Sequence, residues 1–256
     1  MVPTDLELVA PVTGEDSPNR TGSRFGFLST DLGILWDGGV LAAFGDTYGE
    51  GWTGPGAGLR SSDHRRNVVA RCTATDLSGG LPFDWVAEDR AGHAGEVLPA
   101  DPRRRLESTV IPTAGIAVDG VQYLHYMSVK VWGVPGGWRT NYGGLARSPD
   151  GGRTWTKDPS ARWPNTWRGR HPFQMGAFAR DPREDDGWVY LFGTRNGRFG
   201  DIHLSRVERA GVGDPRRYQY RTGSGWSRSV HRQLTGGPRG PPVSCRWTTT
   251  GAWACG

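Results

Sequence analysis

The chain has 256 residues, with 40 glycines, 18 prolines and 12 tryptophans. That composition suits one large or two small domains of turn-rich, aromatic-rich β structure and excludes a helical protein. Its formal charge of +5 is unevenly placed: residues 205–256 carry nine arginines against Glu208 and Asp214, while the preceding 204 residues net −2. A nucleic-acid or membrane role would rest on that tail alone, and no run approaches the roughly 20 apolar residues of a membrane span.

At the start, MVPTDLELVAPVTGEDSPN has no basic head and no sustained apolar core. As written, the product is expected in the cytosol, or at the cell envelope or secreted if the true start lies upstream. Residues 1–20 read as a lead-in to a single domain over 21–228. Within it, GILWDGGVLAAF (Gly33 to Phe44) is two apolar arms around Asp37-Gly38-Gly39, a hairpin signal. GIAVDGVQYLHYMSVKV (Gly115 to Val131) repeats it around Asp119-Gly120, and DDGWVYLFGTRNGRFGDIHLSRV (Asp185 to Val207) is a third copy joined by residues 194–200. No stretch has sustained helical periodicity. Hairpins recurring at tens of residues favour radial blades, a β-propeller, over a sandwich.

SPDGGRTW, Ser148 to Trp155, matches the Asp-box pattern Ser-x-Asp-x-Gly-x-Thr-Trp at every defined position and resembles the Asp boxes of sialidase-like propellers. There the acid bonds turn amides and the Trp packs beneath. Ser148, Asp150, Gly152 and Trp155 are therefore expected to be structural.

Catalytic groups in a propeller sit where inner strands open onto the channel. Asp31, in STDLG, precedes one arm of the first hairpin, and Asp46, in FGDTYGE, closes the other. A hairpin sets the start of one arm beside the end of the next, so the two carboxylates are expected side by side on one rim, the arrangement glycosidic hydrolysis needs. The alternative is that both are turn residues bonding nearby amides. Asp63, Asp76, Glu107 and Asp201 also fall near strand ends, and spacing alone does not separate one pair.

His64, His93, His125, His171, His203 and His231 are scattered with no metal-ligand spacing; His64, beside Arg65, Arg66 and Asn67, reads as a satisfied loop histidine, the alternative being a residue that lines the channel. Cys72, Cys245 and Cys255 form no disulfide framework; Cys72 reads as a small buried hydrophobe. No phosphate loop and no Gly-x-Ser-x-Gly elbow is present, so neither a cofactor nor a metal is expected. The arginine runs 103–105 and 216–217 sit beside prolines and read as solvated loops. Trp132 and Trp138, in WGVPGGWRTN, are the best candidates for an aromatic sugar platform.

Taken in order, GSRFGFLSTDLGILWDGG, FGDTYGE, RRNVVARCTATD, ESTVIPTAGIAVDGVQYLHYMSV, PGGWRTNYGGLARSPDGGRTW and VYLFGTRNGRFGDIHLSRV resemble an actinobacterial domain-of-unknown-function family. Some of its members are endo-D-arabinanases with a five-bladed propeller. The resemblance covers most of residues 21–226. It implies an inverting glycoside hydrolase, with Asp31 and Asp46 as the catalytic pair and D-arabinan of mycobacterial-type arabinogalactan or lipoarabinomannan as substrate. It also implies that Asn67, Arg71 and Asn141 orient furanose hydroxyls. A monomer acting on cell-wall polysaccharide, without nucleic acid or membrane span, is expected; the other reading is a glycan-binding propeller without activity. Residues 229–256 depart from the family pattern and can be written as an out-of-frame version of its closing segment. The last blade is therefore expected to be incomplete or disrupted.

Overall fold

The computed structural model describes residues 7–36, 41–54, 56, 58, 62–101, 106–180, 186–197, 200–230, 245–247 and 253–255. After a five-residue helix, α1 (Thr21–Phe25), the chain is built from strands. The first sheet holds β1 (Ser29–Trp36), β2 (Leu41–Tyr48), β3 (His64–Arg65), β4 (Val68–Arg71) and β5 (Trp85–Val86) in the order β1-β2-β4-β5, with β3 paired to the end of β2. A short hairpin follows, β6 (Glu88–Arg90) with β7 (His93–Ala94). The second sheet is a four-stranded meander of β8 (Thr109–Val118), β9 (Val121–Trp132), β10 (Trp138–Ser148) and β11 (Thr156–Pro164). The third runs β12 (Met175–Ala179), β13 (Trp188–Thr194), β14 (His203–Glu208), β15 (Gln219–Thr222) and β16 (Gly225–Ser227). All described pairings are antiparallel, as hairpin-linked sequences demand. No helix among the described residues is long and apolar enough to cross a membrane.

The sheets meet edge to edge through their first strands: β1 packs beside β8, and β8 beside β12. Between the first two sheets lies a core of Trp36, Leu41, Val69, Val110, Leu124, Tyr126 and Tyr142. Trp36 Nε1 donates across it to Gln122 Oε1 at 2.8 Å. Val189, Leu191, Val207, Trp163, Phe173 and Tyr218 fill the space between the second and third. Cys72 is free and buried.

The Asp119-Gly120 turn forms where expected. Val118 pairs with Val121, and both loop residues have positive φ (50° and 80°), the two-residue turn whose twist suits a hairpin. The 37–39 turn and the 103–105 run lie outside the described residues. Arg216 and Arg217 sit on a solvated turn, paired with Asp214 and Glu208. The lead-in is part of the fold from at least Val12. The fully buried Asn19 donates to Val12 O and Leu81 O, both at 2.8 Å, and accepts from Phe83 N at 2.5 Å. In the tail, β17 (Cys245–Trp247) pairs with β18 (Trp253–Cys255) as a hairpin, while 231–244, 248–252 and 256 lie outside the described residues.

Candidate functional site

The first hairpin does not run straight to its end. Thr30 pairs with Thr47 and Leu32 with Phe44, so Asp31 stands opposite the step Gly45–Asp46, and a second register shift follows at Gly33. The bulge places Leu32 at φ 69° and Gly33 at φ 95°. For a leucine that conformation costs on the order of 1–3 kcal/mol and persists only where surrounding structure imposes it, which happens most at functional sites. Asp31 is exposed, and its carboxylate lies over the bare α-carbon of Gly45: a Cβ there would stand 2.2 Å from Asp31 Oδ1.

Asp46 is half-buried and held from two sides. His64 Nε2 lies 3.0 Å from its Oδ1, and Thr109 Oγ1 donates to the same oxygen at 3.0 Å. β3 brings His64 opposite Tyr48 across β2, and the imidazole stacks on the Tyr48 ring at 4.9 Å and 27°. Burial pushes the Tyr48 hydroxyl above its usual range, and the charges of Asp46 and, more weakly, Asp31 push it further. Tyr48 therefore feels both carboxylates.

Thr109 begins β8, and the segment before it carries a third acid. Glu107 Oε1 accepts from Ser128 Oγ at 2.5 Å and Tyr142 Oη at 3.2 Å, and its Oε2 accepts from Asp101 N at 2.5 Å. Asn141 donates to Ser128 Oγ and to Leu106 O, both at 3.1 Å, so it helps to hold this cluster. Thr109 is paired with Val129, near the end of β9, which places the β9–β10 loop at the same end of the second sheet. Trp132 is 48 % exposed there and rests edge-on against the buried Trp138. Trp167, 79 % exposed, follows β11 at that end too; Arg139 Nη2 donates to its carbonyl at 2.5 Å.

A family model described as a domain of unknown function, DUF4185, matches residues 16–255. The chain belongs to that family. No curated protein matches it. The matched range begins inside the lead-in and takes in the tail.

Three expectations for this DUF4185 domain change at the level of single residues. Asn67 is fully buried: its amide donates to Leu98 O and Val110 O at 2.9 and 3.0 Å, and its Oδ1 accepts from Leu98 N and Val97 N at 2.8 and 3.1 Å. All its capacity goes to backbone, so nothing is left for a sugar. Arg71 ends β4 opposite Leu41, at the far end of the sheet from Asp46. There it pairs with Asp84 at 2.7 Å beside Trp85. Trp138 is buried and supports Trp132 without offering a ring face of its own.

The Asp box closes the β10–β11 turn at the opposite end from Thr109. Asp150 accepts from Ser148 Oγ, Arg153 N, Thr154 N and Thr154 Oγ1 within 3.1 Å, and these bonds hold its carboxyl well below the usual range. Gly152 N donates to Ser148 Oγ and Trp155 Nε1 to Gly152 O, both at 2.9 Å, so the box is spent on its own turn.

Thr109 is the residue that spacing did not find, and the contact of His64 with Asp46 is the bond it did not find. His64 read as a satisfied loop residue because its partner is contributed by another strand, and Thr109 lies 63 positions from Asp46. Among the described residues, no three His, Cys, Asp or Glu side chains converge as metal ligands.

Proposed function

We propose that this domain is a glycoside hydrolase acting on arabinofuranosyl linkages of mycobacterial-type D-arabinan, in arabinogalactan or lipoarabinomannan, with Asp31 and Asp46 as its acid–base pair. One observation carries the reading: two carboxylates share a hairpin end whose backbone is distorted at Leu32, with one of them seated over Gly45 and the other held by His64 and Thr109. Glycosidic hydrolysis needs one acid to protonate the leaving oxygen and a second carboxylate to activate water or attack the anomeric carbon. The resemblance implies inversion, for which the carboxyl groups stand roughly 6.5–9.5 Å apart to admit the water.

The rest of the rim suits a saccharide chain. Trp132 and Trp167 offer aromatic surface to sugar C–H faces. Three meander sheets joined through β1, β8 and β12 support a five-bladed β-propeller with this rim at one mouth of its channel.

The test is digestion of mycobacterial arabinogalactan by the parent protein, Asp31→Asn and Asp46→Asn, with released oligosaccharides as the readout. Each substitution is expected to lower turnover about 10²–10⁴-fold at unchanged folding. Release that survives both substitutions would overturn the pair. The exposed Trp132 and Trp167 also favour a second reading, a glycan-binding propeller without activity. Retained binding with no release by the parent would select it.

A further inference from the structure

The two oxygens of Asp46 are not equivalent. Oδ1 takes both contacts, from Thr109 Oγ1 and His64 Nε2, each at 3.0 Å, while Oδ2 has no hydrogen-bond partner among the described residues. A carboxylate oxygen accepts, so opposite an ionised Asp46 it is Nε2 that carries a proton.

A histidine–carboxylate contact on a surface is commonly an ordinary weak ion pair. Here three constraints fix the ring before Asp46 is considered. The β2–β3 pairing sets its backbone opposite Tyr48, its face lies on the Tyr48 ring, and the neighbouring Arg65 is anchored in the core through Asp63 Oδ2 and Gly26 O at 2.5 and 2.6 Å. Thr109 approaches from the second sheet, so one oxygen is gripped by both sheets at once. Such a grip removes the rotation that would otherwise exchange Oδ1 and Oδ2.

We propose that His64 is a positioning residue for Asp46: with Thr109 it clamps Oδ1 and leaves Oδ2 as the oxygen offered to a ligand. Its importance for turnover rests on the hydrolase reading above, whereas the clamp itself does not. His64 passes no proton to substrate in this arrangement. It restricts the geometry of the group that does the chemistry, where small displacements are costly in rate.

Two experiments on the full chain test it. In the first, parent, His64→Ala, His64→Gln and Asp46→Asn are assayed on mycobacterial arabinogalactan, with melting curves for each. His64→Ala is expected to lose roughly 10–100-fold in kcat with KM little changed and melting unaltered. His64→Gln, whose amide N–H donates from a similar place, recovers most of that loss. In the second, long-range ¹H–¹⁵N spectra above about pH 8 report which His64 nitrogen bears the proton. The parent is expected to hold the Nε2–H form, and Asp46→Ala to move the ring toward a mixture with Nδ1–H. An active parent matched by His64→Ala, or a tautomer indifferent to Asp46→Ala, overturns the inference. A parent that releases nothing overturns the hydrolase reading instead, and the spectra then decide the clamp alone.

Discussion

Asp31 occupies the space that any side chain at position 45 would need. Its Oδ1 lies 2.2 Å from where a Cβ on Gly45 would stand, and the Leu32 side chain is 3.1 Å from that point. The strand residue beside one acid is thus a glycine because the other acid lies across it.

Gly45→Ala follows from that relationship. Gly45 does not have positive φ, so alanine brings no backbone strain, and the closest clash is with the end of an aspartate side chain and not with backbone. The expected result is a folded protein, destabilised by about 1 kcal/mol or less, with turnover reduced at least about tenfold as Asp31 is displaced. Melting curves alongside arabinogalactan digestion check it; full activity would mean that the seat of Asp31 is unimportant.

Trp132 is the rim aromatic whose removal leaves the core intact. Trp132→Ala is expected to raise KM on polymeric substrate roughly 5–10-fold with kcat and melting temperature nearly unchanged, the mark of binding that does not change between substrate and transition state. Trp138→Ala, by contrast, opens a hole beside Ile111, Met127 and Val129 and is expected to cost about 3–5 kcal/mol. Equal effects from the two would contradict their assigned roles.

Asn67→Ala separates support from binding. It strands the amides of Val97 and Leu98 and the carbonyls of Leu98 and Val110, so about 2–4 kcal/mol of stability is expected to go. The protein that remains folded below its transition is expected to bind glycan as the parent does. Urea titration measures the first and affinity electrophoresis on arabinogalactan the second.

His125 gives the fold a pH dependence. It is fully buried between β8 and the third sheet, within 2.6 Å of Thr113 Oγ1, and burial pushes its pKa down to about 3. A group depressed in this way binds its proton more readily when unfolded. Its contribution is therefore present above the ordinary histidine value of about 6.5 and is lost as pH falls toward the folded value. Between pH 7 and pH 5 the loss is roughly 2 kcal/mol. Urea unfolding at both pH values is expected to show it in the parent, and to show a smaller difference in His125→Gln.

Much of the architecture was legible from local chemistry. Asp119-Gly120 between apolar arms can form little but a two-residue hairpin turn, and SPDGGRTW specifies a self-contained turn because its acid, hydroxyls and amides satisfy one another. The nearness of Asp31 and Asp46 was also readable, since a hairpin must set the start of one arm beside the end of the next. What lay beyond local chemistry is the rest of the site. The bulge at Leu32 is held by pairing on either side, not by leucine's own preference. His64 reaches Asp46 only because β3 returns to the end of β2, and Thr109 because β8 packs beside β1 and β2. Asn67 and Arg71 sit four residues apart on one segment, yet the fold buries the first under four backbone bonds and sends the second to the far end of the sheet. Sequence alone determined the Asp119-Gly120 turn, the Asp box and the two acids at one hairpin end, because those depend on neighbours in the chain. Only the tertiary structure decided which oxygen of Asp46 is held and which polar residues support it, because those contacts join segments that nothing but packing brings together.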